Sequence, residues 1–183
     1  MIKRLVIASS AVAVLVCCSC GTGAGGIAPG AGTPADTVRR IETALRGGSP
    51  GDYLGLLARD YVFTAHTPDG EREWGRDLDY TLVSALFFQS WGRGCTVGWR
   101  DLDEPGEGVT EYTADVTMQI YVTLEGNVRY CAEGSGEMTL RPEGASGTWL
   151  VTAWDDDATG TETTLAGYEP LSWGEIKLLF EER

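Results

Sequence analysis

The sequence predicts an α+β domain in which N-terminal helices pack on a curved antiparallel sheet, followed by a short C-terminal helix. Three observations predict it. Between Pro34 and Ser90, three segments carry apolar residues at helical spacing. Beyond Gly94 the period changes to two and holds to Trp154, giving one apolar and one polar face. A sheet with a single buried face needs a cover, and the preceding helices are available to provide it. The chain has 183 residues, 43% of them hydrophobic and six of them Trp, which suffices for one core.

The first twenty residues read as an export address. Met1-Ile2-Lys3-Arg4 is a short basic start, and Leu5 to Val16 is apolar apart from Ser9 and Ser10. A span needs about twenty apolar residues, so this run fits a secretory signal peptide instead. It ends in Val14-Leu15-Val16-Cys17-Cys18-Ser19-Cys20-Gly21, which resembles a bacterial lipobox. Read on Cys18, Leu15 stands three before and Cys17 takes the small position. Read on Cys20, Ser19 and Gly21 fit, but the Leu is missing. The resemblance implies a lipoprotein: a thioether lipid on the new N-terminal cysteine and an acyl chain such as palmitate on its amine, a stable membrane anchor. The expected location is then the bacterial cell envelope, on a periplasmic or surface face. Ordinary secretion with cleavage nearby is the alternative. Residues 21–33, GTGAGGIAPGAGT, hold six Gly and no charge and predict a flexible tether reaching about 20 Å.

Residues 34–183 form the domain. Thr33 caps a first helix, with Pro34 in its first turn, Val38, Ile41 and Leu45 on its apolar side, and Gly47-Gly48 at its end. Ser49-Pro50 starts a second helix whose apolar side is Tyr53, Leu54, Leu56 and Leu57, closed by Arg59-Asp60. Tyr61 to His66 reads as a strand, and Thr67-Pro68-Asp69-Gly70 as a turn. A third helix is predicted from Asp77 to Ser90, with Leu78, Leu82, Leu86 and Phe87 buried. The meander then runs from Cys95 through Tyr112–Leu124, a turn at Gly126-Asn127, a strand from Val128 to Leu140, and Thr148–Trp154. Ser172 and Glu175 form a capping box for a last helix carrying Ile176, Leu179 and Phe180.

Charge narrows the partners. The chain has 14 basic and 27 acidic residues, and without Lys3 and Arg4 the balance is 12 against 27, a net −15. Nucleic acid needs a positive footprint, so it is not expected as a partner. One His and no Gly-punctuated phosphate loop leave no cofactor or metal to expect, and Cys17, Cys18 and Cys20 belong to the export signal rather than to a metal cluster.

The order of two short helices, a strand, a third helix and a long meander resembles the cone-shaped family of nuclear transport factor two, ketosteroid isomerase and scytalone dehydratase. Asp60-Tyr61-Val62-Phe63, Trp74-Gly75-Arg76-Asp77, Trp149 to Trp154 and Ser172 to Lys177 are similar to pieces of bacterial lipoproteins with this SnoaL-like fold. The resemblance implies a pocket between helices and sheet, and dimerisation through the outer sheet face, here Thr113, Thr117, Gln119, Tyr121 and Thr123. It carries over no catalytic set: the isomerase's Asp base, Tyr and protonated Asp do not align onto this chain, and the dehydratase relies on more than one His where this chain has only His66.

Tyr53, Tyr61, Tyr80, Trp99 and Tyr112 are the candidate pocket residues, aromatic groups with polar handles suited to a small ligand of mixed character. His66, ending a strand, reads as a rim residue. Asp155-Asp156-Asp157 reads as a solvated acidic turn. Cys95 and Cys131 fall on opposite sheet faces, which opposes a disulfide. The expected function is a non-catalytic ligand- or protein-binding domain at the envelope. The alternative is an isomerase or dehydratase acting on a small hydrophobic molecule, with Asp101 and Tyr112 as its nearest acid and donor.

Overall fold

The computed structural model describes residues 32–99, 105–106, 108–144, 147–157 and 165–181. Cys18, Cys20, the leader, most of the tether and Asp101 lie outside the described residues. Of Trp99, only the backbone belongs to them.

Four α-helices and seven strands follow in the order α1 (Pro34–Gly47), α2 (Pro50–Leu54), β1 (Leu57–Thr67), β2 (Gly70–Gly75), α3 (Arg76–Gln89), β3 (Ser90–Trp99), β4 (Tyr112–Leu124), β5 (Arg129–Glu143), β6 (Thr148–Asp156), β7 (Glu169–Pro170) and α4 (Trp173–Leu178). The local signals act as expected at both ends of the domain. Thr33 accepts a hydrogen bond from the Asp36 amide at 3.1 Å and Gly48 closes α1 at φ 65°. Ser172 and Glu175 complete their capping box, with bonds of 3.0 and 2.7 Å. Ser49 precedes α2 without capping it, because its hydroxyl turns to Asp52 at 2.6 Å.

The sheet order is β2-β1-β6-β5-β4-β3, with β7 against β5. The meander β3 to β6 is antiparallel as expected, but β1 joins β6 in parallel, and β7 joins β5 likewise. Register shifts at Leu57/Val62, Ser90/Gly92 and Thr139/Leu140 bend the strands, since each irregularity adds local twist. The sheet curls, remains open, and holds its core on the concave side: Phe63 from β1, Val116 to Val122 from β4, Met138 and Leu140 from β5, Val151 and Trp154 from β6.

Several expectations need correction. The second helix ends at Leu54, and Leu57, Arg59 and Asp60 belong to β1. Residues 70–75 form an edge strand, β2, whose burial is limited to Trp74. In α3 Leu78 faces solvent, 38% exposed, while Asp79 is buried with Leu82, Val83 and Leu86. At the end of α4, Leu179 is 36% exposed, and within the helix Lys177 is buried instead. Cys131 has outer-face parity but is buried; β7 pairs alongside it, and Leu171, just after β7, donates to its carbonyl at 3.1 Å. Cys95 faces the core; it sits beside Ile120, as Cys131 sits beside Tyr121, so the two do not form a disulfide with each other. Thr123 on the outward face is buried, and Tyr121 packs edge-on against Tyr168, 5.6 Å between ring centres.

Gly174 fixes how α4 meets the sheet. A Cβ there would stand 2.3 Å from the Ala65 Cβ and 3.4 Å from the Phe63 ring. Gly174→Ala therefore forces helix and strand apart. The expected loss is about 1–3 kcal/mol, read as a lower urea midpoint with unchanged slope. An unaltered midpoint would mean that α4 is not seated as described.

Candidate functional site

Two places gather chemistry. The first is the centre of the cone. Asp79 lies in the first turn of α3, where Gly75 enters in extended conformation and leaves the helix start without a side-chain cap. Its Oδ2 accepts the Tyr53 hydroxyl at 2.7 Å. Its Oδ1 accepts the Trp74 indole N–H at 2.7 Å and the Lys177 ammonium at 2.6 Å. Helices α2, α3 and α4 and strand β2 thus meet on one carboxylate, and Asp79, Tyr53 and Lys177 are wholly buried. The Lys177 Nζ also lies 3.3 Å from the centre of the Phe63 ring, 5.1 Å from Trp173, 5.4 Å from Trp154 and 5.7 Å from Trp74. Phe63 and Trp74 stack at 4.7 Å.

Burial pushes the Lys177 ammonium below the ordinary lysine value, and the Asp79 charge opposes that fall. Burial first, then the charge of Asp79, raises the Tyr53 phenol well above its ordinary range, and Tyr61 is raised by the same two causes. Both phenols are therefore neutral, and that of Tyr53 donates to Asp79. Asp79 accepts three donors and meets no solvent, so it has no route to a substrate proton. Burial pushes the Cys95 thiol up to about 12, which removes it as a nucleophile.

Of the five pocket candidates, the structure brings Tyr53 and Tyr61 together around Asp79. Tyr80 and Tyr112 are half-buried, and Tyr112 packs at the margin of the core. Among the described residues an Asp–Tyr pair is formed by Asp79 and Tyr53; Asp101, expected opposite Tyr112, lies outside them. The space that the resemblance assigns to a pocket is occupied by Trp154, Trp173, Phe63, Tyr53, Tyr61 and Lys177, all less than 2% exposed. Sequence reasoning missed Asp79 and Lys177, although Asp79, Leu82, Val83, Leu86 and Trp173, Ile176, Lys177, Phe180 share one helical spacing.

The second place is the outer face. Asp115, Glu137 and Asp155 are direct neighbours across β4, β5 and β6. Like charges directly opposite one another across strands are destabilising. His66 closes the row, its Nε2 2.7 Å from Asp155 Oδ1. The acidic triplet is thus divided by the strand period: Asp155 faces out to His66, while Asp156 is buried and accepts the Gly174 amide at 2.7 Å. A groove of about 610 Å³ runs over this row, also lined by Thr117, Ser135 and Asp157. A shallower one of about 440 Å³ continues over Thr117, Gln119 and Glu133. Among the described residues no group of His, Cys, Asp and Glu is placed to hold a metal ion.

No known family profile matches the sequence, and no curated protein does. Solved structures do match. A conserved protein from Planctomyces limnophilus superimposes with a TM-score of 0.57 at 15% identity, over 67% of this chain and 90% of that one. A scytalone dehydratase candidate from Novosphingobium aromaticivorans gives 0.55 at 13%, over 75% and 89%. A ketosteroid isomerase-like protein from Erwinia carotovora atroseptica gives 0.50 at 14%, over 66% and 89%. The domain therefore has the cone fold of the ketosteroid isomerase and nuclear transport factor two class. At these identities the likeness concerns the fold alone.

Two outcomes follow from this geometry. Lys177→Met leaves Asp79 buried without its cation and is expected to cost about 3–5 kcal/mol in urea denaturation, much of it recovered in the Lys177→Met/Asp79→Leu double variant. Strictly additive losses would show that the two charges are not coupled. The hydrogen bond to Asp155, and then the charges of Asp155, Glu71 and Asp157, raise the His66 pKa above its ordinary 6.5. Its stabilisation is then complete below 6.5 and is lost as pH rises through the raised folded value. Proton NMR of this one histidine should show that midpoint, falling towards the ordinary value in Asp155→Asn; an identical midpoint in both proteins would discount the pair.

Proposed function

We propose that this chain is a lipid-anchored protein of the bacterial cell envelope whose cone domain is a non-catalytic binding module, working through the outer face of its sheet. One observation carries the reading: the interior of the cone is filled, and the Asp79 carboxylate in it is already paired with Lys177. The outer groove supports the rest. Three carboxylates held opposite one another at a cost to stability, with His66 as their partner, suit a cationic occupant, and a basic segment of a protein partner fits a shallow polar groove of this size. Self-association through the neighbouring Thr113 and Thr117 surface is a further use of the same face.

A second reading has one observation in its favour. Asp79 enclosed at 2.7 Å from a tyrosine hydroxyl is the acid–donor pair that an isomerase or dehydratase of a small hydrophobic molecule would need. Lys177 weighs against it, since it neutralises the acid and occupies the substrate's place.

Two measurements test the proposal. Globomycin should make the precursor accumulate in an expressing bacterium, and replacing Cys18 and Cys20 separately should identify the anchor; normal processing and free release would remove the lipoprotein reading. A lysine-rich decapeptide should shift the His66 ring signals saturably, with weaker binding at higher salt and none in Asp155→Asn/Glu137→Gln. If the acidic counterpart peptide shifts them equally, the groove does not select cations. Small diamines binding as tightly as the peptide would point to a small ligand instead of a protein.

A further inference from the structure

We propose that the interior of the cone is a binding site for a small organic ammonium ion bearing an oxygen acceptor, and that the chain fills this site in cis with Lys177. Most of the site is built from elements other than the one that carries Lys177. Phe63 comes from β1, Trp74 from β2, Trp154 from β6, Tyr53 from α2 and Asp79 from α3; Lys177 and Trp173 alone belong to α4, a helix of six residues at the end of the chain. Aromatic rings around a cation, with a carboxylate at 2.6 Å, form the arrangement by which proteins hold ligand ammonium groups.

Lysine is an incomplete occupant. The indole N–H groups of Trp154 and Trp173 are fully buried, lie on rings within 5.4 Å of Nζ, and find no acceptor among the described residues. An ammonium offers three donors and no acceptor, so Lys177 cannot satisfy them. An occupant with an oxygen beside its ammonium can satisfy both the carboxylate and an indole. The class this describes is the amino alcohols and their relatives.

Exchange needs α4 to leave. Besides its apolar face, this helix is held by the Gly174–Asp156 bond and by the exposed Arg72–Glu181 pair. A helix of only six residues can open while the remainder stays folded, and a ligand that binds the open form holds it open by mass action. The inference concerns the interior and does not rest on the outer groove, so either can fail alone.

Lys177 is the only lysine after Lys3, which makes the test direct. A lysine-specific endoproteinase acting on the full chain can release residues 178–183 only when α4 is open. Ethanolamine at saturating concentration should raise that cleavage rate by about fivefold, while propan-1-ol, its neutral analogue of the same size, should leave it unchanged at matched ionic strength. In Lys177→Ala, ethanolamine should raise the melting temperature, and adding Asp79→Asn should abolish the effect. A cleavage rate insensitive to ethanolamine, or raised equally by propan-1-ol, overturns the proposal, and so does a folded Lys177→Ala that ethanolamine does not stabilise. The protease measurement uses the unaltered chain and decides the matter even if the variant does not fold.

Discussion

The ion pair between Asp79 and Lys177 is the constraint on which the rest of this domain depends. Two charges removed wholly from water are costly, and the cost is offset only where geometry is good and the remaining valences are satisfied. Here every supporting group comes from a different part of the chain. Tyr53 from α2 and Trp74 from β2 complete the carboxylate, and Phe63 from β1 lies against the ammonium. The pair therefore fixes three helices and the N-terminal hairpin relative to one another. An apolar contact of equal area would tolerate sliding; this one has a single register.

That constraint decides where function can lie. A cone whose helices and sheet enclose open space can take a substrate between them. This one encloses Trp154, Trp173 and a lysine from its own last helix. With α4 seated the chain itself fills the interior, and the exposed chemistry lies on the convex side. There the sheet accepts an arrangement that stability alone disfavours, three carboxylates aligned across β4, β5 and β6 with one histidine at the end. Residues 165–171 cover the part of that face near Tyr121 and Cys131, so the acidic groove is bounded rather than spread over the whole sheet.

Most of the fold was legible because its signals were local. Caps at Thr33 and Ser172, glycine stops and the two-residue period of β4 each name their element from a few neighbouring residues. What was not legible depended on distant partners. Strand β2 reads Gly-Glu-Arg-Glu-Trp-Gly, a charged edge with one buried side chain, and charge on an edge is how sheets avoid further pairing. The parallel join of β1 to β6 leaves no mark in either strand's own sequence. Cys131 has the parity of an exposed residue yet is buried, beside the distant strand β7 that pairs with it. The candidate site was half visible. Tyr53 and Tyr61 stand out as aromatic groups with polar handles, but nothing in their neighbourhood in sequence points to Asp79 as the acid they surround.

The missing pair was nevertheless written in the helices. Asp79 occupies the first position of an i, i+3, i+4, i+7 apolar face, and Lys177 the third position of another. Taken singly, each reads as an ordinary surface charge that happens to fall at a buried spacing. Taken together they are opposite in sign and stand on helices that must both cover the same concave face, so each explains the other. Until α4 docks, Asp79 has neutral donors in Tyr53 and Trp74 but no neutralising charge. The N-terminal helices and hairpin thus form a site that is chemically unfinished, and the end of the chain supplies the cation that completes it.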